Sequence, residues 1–138
     1  MVNNNQYLAM EAAQNYLSIV KGASINSWME IWDEDAIVEF PYAPPPYPKQ
    51  VKGKNAICEH YKNVSGAMEL CEEKPLVFYP SSDPLLAVFE TSMIFRIPST
   101  GNDYSQDYIS VVKVNEDGKI VLYREYWDPS RVLKDFPV

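Results

Sequence analysis

The last third of the sequence constrains the fold most, because it alternates long strand-like runs with short turns. The runs LLAVFETSMIFRI, YSQDYISVVKV and KIVLYREYW are rich in β-branched and aromatic residues, which favour strands. The segments PSTGND and NEDG between them are turn sequences, and Asp117-Gly118 is typical of a hairpin. Three long strands joined by tight turns predict an antiparallel meander. A shorter run, LVFYP, adds another strand before it.

The first half of the sequence predicts helices. A three- and four-residue spacing of apolar residues predicts an amphipathic helix from Gln6 to about Lys21, with the stripe Ala9, Ala12, Ala13, Tyr16, Ile19 and Val20. Ser24 can cap a short second helix, which is followed by the strand AIVEF. After Gly53, KNAICEHYKNV predicts a third helix with an apolar face of Ile57, Tyr61 and Val64, and His60 borders that face.

Helices in front and strands behind are typical of the α+β class, and 138 residues suit one domain, which we assign to residues 1–138. Five prolines between Pro41 and Pro48 predict an extended loop, because proline cannot donate to a β-ladder and disfavours helix before it. A stiff rim or lid beside a pocket is the favoured interpretation of this loop. A PxxP ligand for another domain is the alternative.

Composition excludes several kinds of partner and site. The net charge of −7 argues against nucleic acid or an anionic membrane as a partner. The N-terminal segment lacks the basic start and apolar core of a signal peptide, so a cytoplasmic location is expected. Cys58 and Cys71 show no paired spacing, which favours reduced thiols over a disulfide. One histidine and scattered carboxylates predict no metal cluster, and the sequence has no phosphate-binding glycine loop, so no cofactor is expected.

The segment VLYREYWDP, residues 121–129, raises the question of function. As a strand it places Val121, Tyr123, Glu125 and Trp127 on one face and Leu122, Arg124 and Tyr126 on the other. A carboxylate is costly to bury between aromatic rings. Removal from water would raise the pKa of Glu125 from about 4.3 towards neutrality, where a carboxyl group can both give and take protons.

Three segments at matching separations resemble the nuclear transport factor 2-like fold: WDEDAIVEFP, VKGKNAICEHY and NEDGKIVLYREYWDP. That group includes ketosteroid isomerases, SnoaL-like polyketide cyclases, scytalone dehydratase and limonene epoxide hydrolase. The resemblance implies a cystatin-like cone, in which a curved antiparallel sheet packs against three helices. It also implies a homodimer through the outer sheet face, for which Leu122, Tyr126, Ile109 and Val111 supply apolar surface.

Within that group the chain most resembles the phenazine-biosynthesis A/B proteins, through GKNAICEH, SDPLLAVFE and DGKIVLYREYWDP. Those proteins are understood to condense two amino-cyclohexenone carboxylates through an imine. The resemblance implies that His60 and Glu125 are their acid–base residues, and Glu90 matches a further acidic position. Val64 departs from the pattern, which has a short polar residue there.

The ketosteroid isomerase pattern matches less well. Its oxyanion-binding tyrosine matches Tyr16, but its proton-abstracting aspartate falls on Phe40 and its second oxyanion donor on Ser110. Steroid isomerisation by the same route is therefore not expected. The comparison implies that the face carrying Tyr123, Glu125 and Trp127 points into the cone.

These observations give a candidate small-molecule site. We expect catalytic roles for Glu125, His60 and Tyr16, and substrate-binding roles for Phe40, Tyr108, Ser110, Tyr123 and Trp127. The predicted function is cofactor-independent acid–base chemistry on a small, partly apolar carbonyl compound, as in an isomerase, cyclase, dehydratase or phenazine-type condensing enzyme.

Each residue also has a structural interpretation. Glu125 can form an ion pair with Arg96 or with Arg124 of a partner chain, and Glu90 can be a structural or exposed residue. His60 can be an ordinary half-buried histidine and Tyr16 a core side chain. Asp128 can cap the WDPS turn. Two other functions stay open: a non-catalytic module that binds a hydrophobe, and a dimerisation domain whose hollow is filled by its own aromatic side chains.

Overall fold

The computed structural model describes residues 4–136, which contain four helices. These are α1 (Asn4–Leu17), α2 (Ile25–Trp28), α3 (Lys54–Ala67) and α4 (Pro129–Asp135). Single 3-10 turns over Ser18–Lys21 and Met29–Ile31 follow α1 and α2. The three helices expected from the apolar spacing are confirmed, and α4 is additional. Among the described residues no helix is both long and apolar enough to cross a bilayer.

Seven strands form one curved sheet. They are β1 (Trp32–Glu39), β2 (Gln50–Lys52), β3 (Glu69–Glu73), β4 (Val77–Pro80), β5 (Leu86–Arg96), β6 (Asp103–Val114) and β7 (Ile120–Tyr126). Their order is β2-β1-β7-β6-β5-β3, and β4 pairs with the other end of β5. The predicted meander of β5, β6 and β7 is confirmed as antiparallel.

The sheet is mixed rather than wholly antiparallel, because β1 lies parallel to β7. A parallel pair needs a long crossover, and the chain between β1 and β7 supplies one. Strands β2 and β3 were not predicted from the sequence. Their sequences, QVK and ELCEE, are short and mostly polar and lie at opposite edges of the sheet, so they lack the apolar alternation that marks a half-buried strand.

A hollow remains between the helices and the inner face of the sheet. Helix α1 packs on β5 and β6, and the small buried residues Ala9, Ala12 and Ala13 let it approach closely. Helix α3 packs on β1 and β2 through Ile57 and the residues beside it. Helix α4 packs on β6. The α+β cone expected from the sequence is therefore present, with its open space bounded by three helices and the sheet.

Strand β7 departs from simple alternation at its start. The β6–β7 ladder shifts register between Lys113 and Val114, where Val114 pairs with Ile120. Ile120 is fully buried while Val121 is half-buried, so Ile120 takes the inward position expected for Val121. Beyond the shift the pattern is as predicted, and Tyr123 and Glu125 point inward.

The two predicted caps have different outcomes. Ser24 precedes α2, but its side chain makes no capping hydrogen bond, and its carbonyl instead accepts from the Trp28 amide at 2.9 Å. The Asp128 carboxylate does cap α4, accepting from the Ser130 amide at 2.9 Å. Hydrogen bonds from Ser130 hold the pKa of Asp128 below its ordinary value. The capping role considered for Asp128 is confirmed.

Candidate active site

The hollow consists of two adjoining compartments. The inner one, about 340 Å³, lies beside α1 and the 3-10 turn after it, and the outer one, about 490 Å³, lies among α3, the proline-rich loop and α4. Five residues line both compartments: Tyr61, Val64, Met68, Tyr108 and Glu125. The aromatic side chains therefore do not fill the hollow, which contradicts the alternative of a plugged dimerisation domain.

Glu125 lies where the two compartments meet. Its side chain is largely enclosed by protein, and the half-buried residue lines both compartments. Burial raises the pKa of Glu125 to about 8, and a hydrogen bond from Tyr16 opposes that rise. The group is therefore mostly a neutral carboxylic acid at pH 7 and can gain or lose a proton close to that pH.

The ion pairs considered for Glu125 are not formed within the described part of the chain. Arg124 lies on the opposite face of β7 and binds Glu39, with Nη2 and Oε1 3.0 Å apart. Arg96 is exposed at the end of β5. None of the ion pairs among the described side chains includes Glu125. Within the described part of the chain no cation neutralises Glu125, and burial favours its protonated form.

Two tyrosines form a chain of hydrogen bonds that ends at Glu125. The Tyr16 hydroxyl donates to Oε1 of Glu125 at 3.4 Å and lies 2.6 Å from the Tyr61 hydroxyl. Because Tyr16 has one hydroxyl hydrogen, donation to Glu125 requires that Tyr61 donate to Tyr16. The ring of Tyr16 is fixed by stacking on Tyr123, with ring centroids 3.7 Å apart. The arrangement connects α1, α3 and β7 through polar atoms.

These hydroxyls remain protonated near neutral pH. Burial raises the pKa values of Tyr16, Tyr61 and Tyr123 well above 10, and the nearby charge of Glu125 is the second cause in each case. The pKa of Tyr108 is raised well above 10 by burial, with Tyr104 as the next cause. The tyrosines around the carboxyl group therefore act as hydrogen-bond donors and not as bases.

His60 lines the outer compartment from α3. Its ring lies 5.5 Å from that of Phe40 and 5.2 Å from that of Tyr61, measured between centroids. Burial lowers its pKa, so the imidazole is neutral at pH 7. Within the described residues none of the hydrogen bonds or ion pairs involves His60. The structure thus brings His60 and Glu125 to the same compartment with polar atoms of both available to a ligand.

The residues predicted to bind substrate occupy two different positions. Phe40, Tyr108 and Trp127 line the outer compartment, and Pro46, Tyr47 and Pro48 of the 41–48 loop border it. Ser110 and Tyr123 instead are fully buried and line neither compartment. The Tyr123 hydroxyl donates to Ser110 at 3.0 Å. This corrects the expectation of direct contact, because both residues lie behind the wall and support Tyr16.

Tyr61 was not predicted as a site residue. Its position on the apolar face of α3 indicates a core side chain, and it is only 6% exposed. Its hydroxyl nevertheless lies 2.6 Å from that of Tyr16, a residue forty-five positions earlier in the chain. A buried tyrosine on each of two helices was the available signal, since a buried hydroxyl requires a partner.

Glu90 lies outside the cavity. It is exposed on β5, opposite Ile109 on β6 and Val77 on β4. A hydrogen bond with Glu90 raises the pKa of Tyr79, so the two side chains interact on the outer surface. The interpretation of Glu90 as an exposed residue agrees with this position.

Comparison with known proteins identifies the family. The model of the SnoaL-like domain matches residues 13–123. The chain is 35% identical to the uncharacterized protein YesE of Bacillus subtilis strain 168 (99% of this chain, 92% of that protein) and 30% identical to an uncharacterized PhzA/B-like protein of Pseudomonas aeruginosa (91% and 88%). A crystal structure named "Putative Isomerase from Bacillus subtilis" superposes with a TM-score of 0.90 at 35% identity, covering 97% of this chain and 96% of that one. The chain therefore belongs to the SnoaL-like domain family, with the nuclear transport factor 2-like fold that its sequence resembles.

Proposed function

We propose that this protein is a cofactor-independent acid–base enzyme that acts on a small, partly apolar carbonyl compound. Isomerisation, cyclisation, dehydration and phenazine-type condensation all fit this description. The observation that carries the proposal is Glu125, a carboxyl group held in a mostly apolar cavity with a pKa of about 8 and a hydrogen bond from Tyr16. A group that titrates so close to neutral pH is suited to both proton abstraction and proton return.

The proposed proton transfer uses one carboxyl group twice. The ionised Glu125 takes a proton from the carbon next to the substrate carbonyl. The electron pair of that C–H bond forms a C=C bond, and the π pair of the C=O bond moves to the oxygen to give an enolate. As Glu125 becomes a neutral acid, the Tyr16 hydroxyl, which accepts from Tyr61, moves its hydrogen bond from Glu125 to the enolate oxygen. The carboxylic acid then returns the proton to the same carbon or to another one. His60, neutral and facing the outer compartment, can accept or donate the second proton that a dehydration or condensation requires.

Hydrogen exchange of a simple ketone tests this function without knowledge of the natural substrate. The probe is 1,3-diphenylpropan-2-one in deuterium oxide, with loss of its methylene proton signals followed by NMR. The wild-type protein is expected to accelerate the exchange, and Glu125→Gln is expected to slow the catalysed rate by about 10²–10⁴-fold. The matched control is Glu39→Gln, which changes a glutamate on the outer face of the sheet. Equal catalysed rates for wild type, Glu125→Gln and His60→Ala would show that the assignment of roles is wrong.

A non-catalytic module that binds a hydrophobe is the second candidate. The apolar character of the lining favours it, because Val64, Met68 and Trp127 offer contacts and no chemistry. The same experiment separates the two functions. Saturable binding of the ketone without accelerated exchange in the wild-type protein would support the binding module.

We also propose a homodimer through the outer sheet face. Ile109 is 48% exposed there, and the half-buried residues Val111, Leu122 and Tyr126 lie beside it on β6 and β7. Tyr42, which is 57% exposed, packs edge-on against Tyr126 with ring centroids 5.4 Å apart. Light scattering should give the mass of a dimer for the wild type and of a monomer for Ile109→Arg. A monomeric wild type would contradict the proposal. We also propose a cytoplasmic location, in which Cys58 and Cys71 would stay reduced.

A further inference from the structure

The charges around the cavity restrict what it can bind. All twelve lysine and arginine residues of the chain lie within the described residues, and none of them lines either compartment. His60, the remaining basic side chain, is held neutral by burial. The ionisable acids in the lining are Glu125 and, in the inner compartment, the exposed Glu69. An anionic ligand would therefore lose its hydration without gaining a cation, and an ionised Glu125 would repel it.

Several polar groups in the lining are hydrogen-bond donors near neutral pH. Tyr108 faces both compartments with a hydroxyl that stays protonated, and Glu125, where the compartments meet, is mostly a neutral acid whose own hydrogen can be donated. Tyr104 in the outer compartment already accepts a hydrogen bond from Gln106 at 2.8 Å, so its own hydrogen is left to donate. Donors of this kind match a carbonyl or ether oxygen and do not match an ammonium group.

The position of Glu125 restricts the shape of the ligand. The carboxyl group lies at the junction of the compartments, with apolar walls on either side: Leu17 and Met93 in the inner compartment, Phe40 and Trp127 in the outer one. A ligand that fills both spaces would bring the middle of its length to Glu125 rather than one of its ends.

We propose that the substrate is an uncharged, elongated hydrophobe whose reacting carbonyl lies near the middle of the molecule, with apolar groups in both compartments. The claim that the carbonyl reacts rests on the proposed function. The charge and shape of the ligand rest on the cavity lining alone. Among the chemistries proposed above, it disfavours those whose substrates carry a carboxylate, phenazine-type condensation included.

The charge requirement is tested with three ligands on one frame. The neutral ketone 1,3-diphenylpropan-2-one, the anion 2-benzyl-3-phenylpropanoate and the cation of 1,3-diphenylpropan-2-amine differ in the group at the centre. Calorimetric titration of the full chain at pH 7 is expected to show the ketone binding tightest and the anion about 100-fold weaker. Anion or amine binding that equals or exceeds ketone binding would overturn the proposal, and so would the absence of detectable ketone binding.

The position of the carbonyl is tested with an isomer and with two matched substitutions. The isomer 1-(4-benzylphenyl)ethanone carries its carbonyl near one end and is expected to bind about 10-fold more weakly than 1,3-diphenylpropan-2-one, because it cannot offer an oxygen to Glu125 while filling both spaces. Ala23→Phe narrows the inner compartment alone and Ala67→Phe the outer compartment alone. Each is expected to weaken ketone binding by about 10-fold. Weakening by Ala67→Phe alone would show that the ligand occupies one compartment, which contradicts the elongated substrate.

Failure of this inference and failure of the proposed function give different results. Preferential binding of the neutral ketone without hydrogen exchange would keep the ligand class and remove the catalytic function. Accelerated exchange together with tighter binding of the anion would keep the catalytic function and remove the ligand class.

Discussion

Two neighbouring residues of β7 carry opposite charges in the unfolded chain, and in the folded chain they lie on opposite faces of the sheet. Arg124 faces outward, is one-third exposed and binds the carboxylate of Glu39 at 3.0 Å. Glu125 faces inward, accepts a hydrogen bond from the Tyr16 hydroxyl and lies between apolar walls. Burial leaves the carboxyl with a pKa of about 8, whereas the outer pair keeps both of its charges in contact with water. One strand therefore accommodates its two ionisable groups in different ways. The outer group is paired with an opposite charge, whereas the inner group is neutralised by a proton that it can still give up.

The largest expected effect is on stability as a function of pH. In the folded chain the pKa of Glu125 is about 8, above its ordinary value of 4.5 in the unfolded chain. As pH rises from 4.5 to 8 the unfolded chain loses this proton first, so the free energy of unfolding falls by up to ~5 kcal/mol and is then constant. Glu125→Gln removes this loss. Denaturant unfolding should therefore show that the free energy of unfolding of the variant, relative to that of the wild type, is higher at pH 9 than at pH 6.

Glu39→Gln is the matched control for that experiment, because it changes a carboxylate on the strand next to β7 whose charge is paired. Its stability difference from the wild type should be the same at pH 6 and pH 9. If the free energy of unfolding changed by the same amount between pH 6 and pH 9 in Glu125→Gln and in the wild type, Glu125 would have an ordinary pKa.

An intermediate effect is expected from the two tyrosines. Tyr16→Phe leaves both Glu125 and the Tyr61 hydroxyl without their partner, whereas Tyr61→Phe still lets Tyr16 donate to Glu125. The expected losses in the free energy of unfolding are about 2–3 kcal/mol for Tyr16→Phe and about 1 kcal/mol for Tyr61→Phe. Urea unfolding at pH 7 measures both. A larger loss for Tyr61→Phe would contradict the proposed direction of the hydrogen-bond chain.

The smallest effect is expected on the outer face of β7. Arg124→Gln breaks a partly exposed ion pair, whose contribution to stability is at most ~1 kcal/mol and is reduced by salt. The variant should unfold close to the wild type in 0.5 M sodium chloride and keep its rate of ketone exchange. A loss of exchange activity would show that the outer ion pair influences Glu125, and would contradict the independence of the two faces of β7.

The sequence predicts the parts of this molecule that depend on regular apolar patterns. The stripe of α1 and the three long strands of the meander follow from residue spacing. Alternation shows which residues share a face with Glu125, whereas the inward direction of that face comes from the resemblance to ketosteroid isomerases. Strands β2 and β3 do not follow from spacing, because short edge strands are formed by pairing with a neighbour and not by their own composition. The parallel pairing of β1 with β7 likewise depends on residues far apart in the chain.

The site was predictable in part for a similar reason. Glu125 stands out because a carboxyl group is costly to bury among aromatic residues. Tyr16 stands out because it matches the oxyanion-binding tyrosine of the ketosteroid isomerases. Tyr61 does not stand out, since its role depends on a 2.6 Å contact between two helices. Ser110 and Tyr123 share a face with the cavity residues, but their depth in the wall is set by the stacking of Tyr16 on Tyr123, which alternation cannot reveal.

The central claim is that Glu125 is held as a neutral acid near pH 7, and its titration tests this most directly. The side-chain carboxyl ¹³C resonances of glutamate-labelled wild-type protein are followed by NMR from pH 4 to pH 10, and the resonance absent from Glu125→Gln is assigned to Glu125. The account predicts a midpoint near pH 8 for this signal. A midpoint near the ordinary value of about 4.3 would contradict both the inferred proton chemistry and the preference for an uncharged ligand.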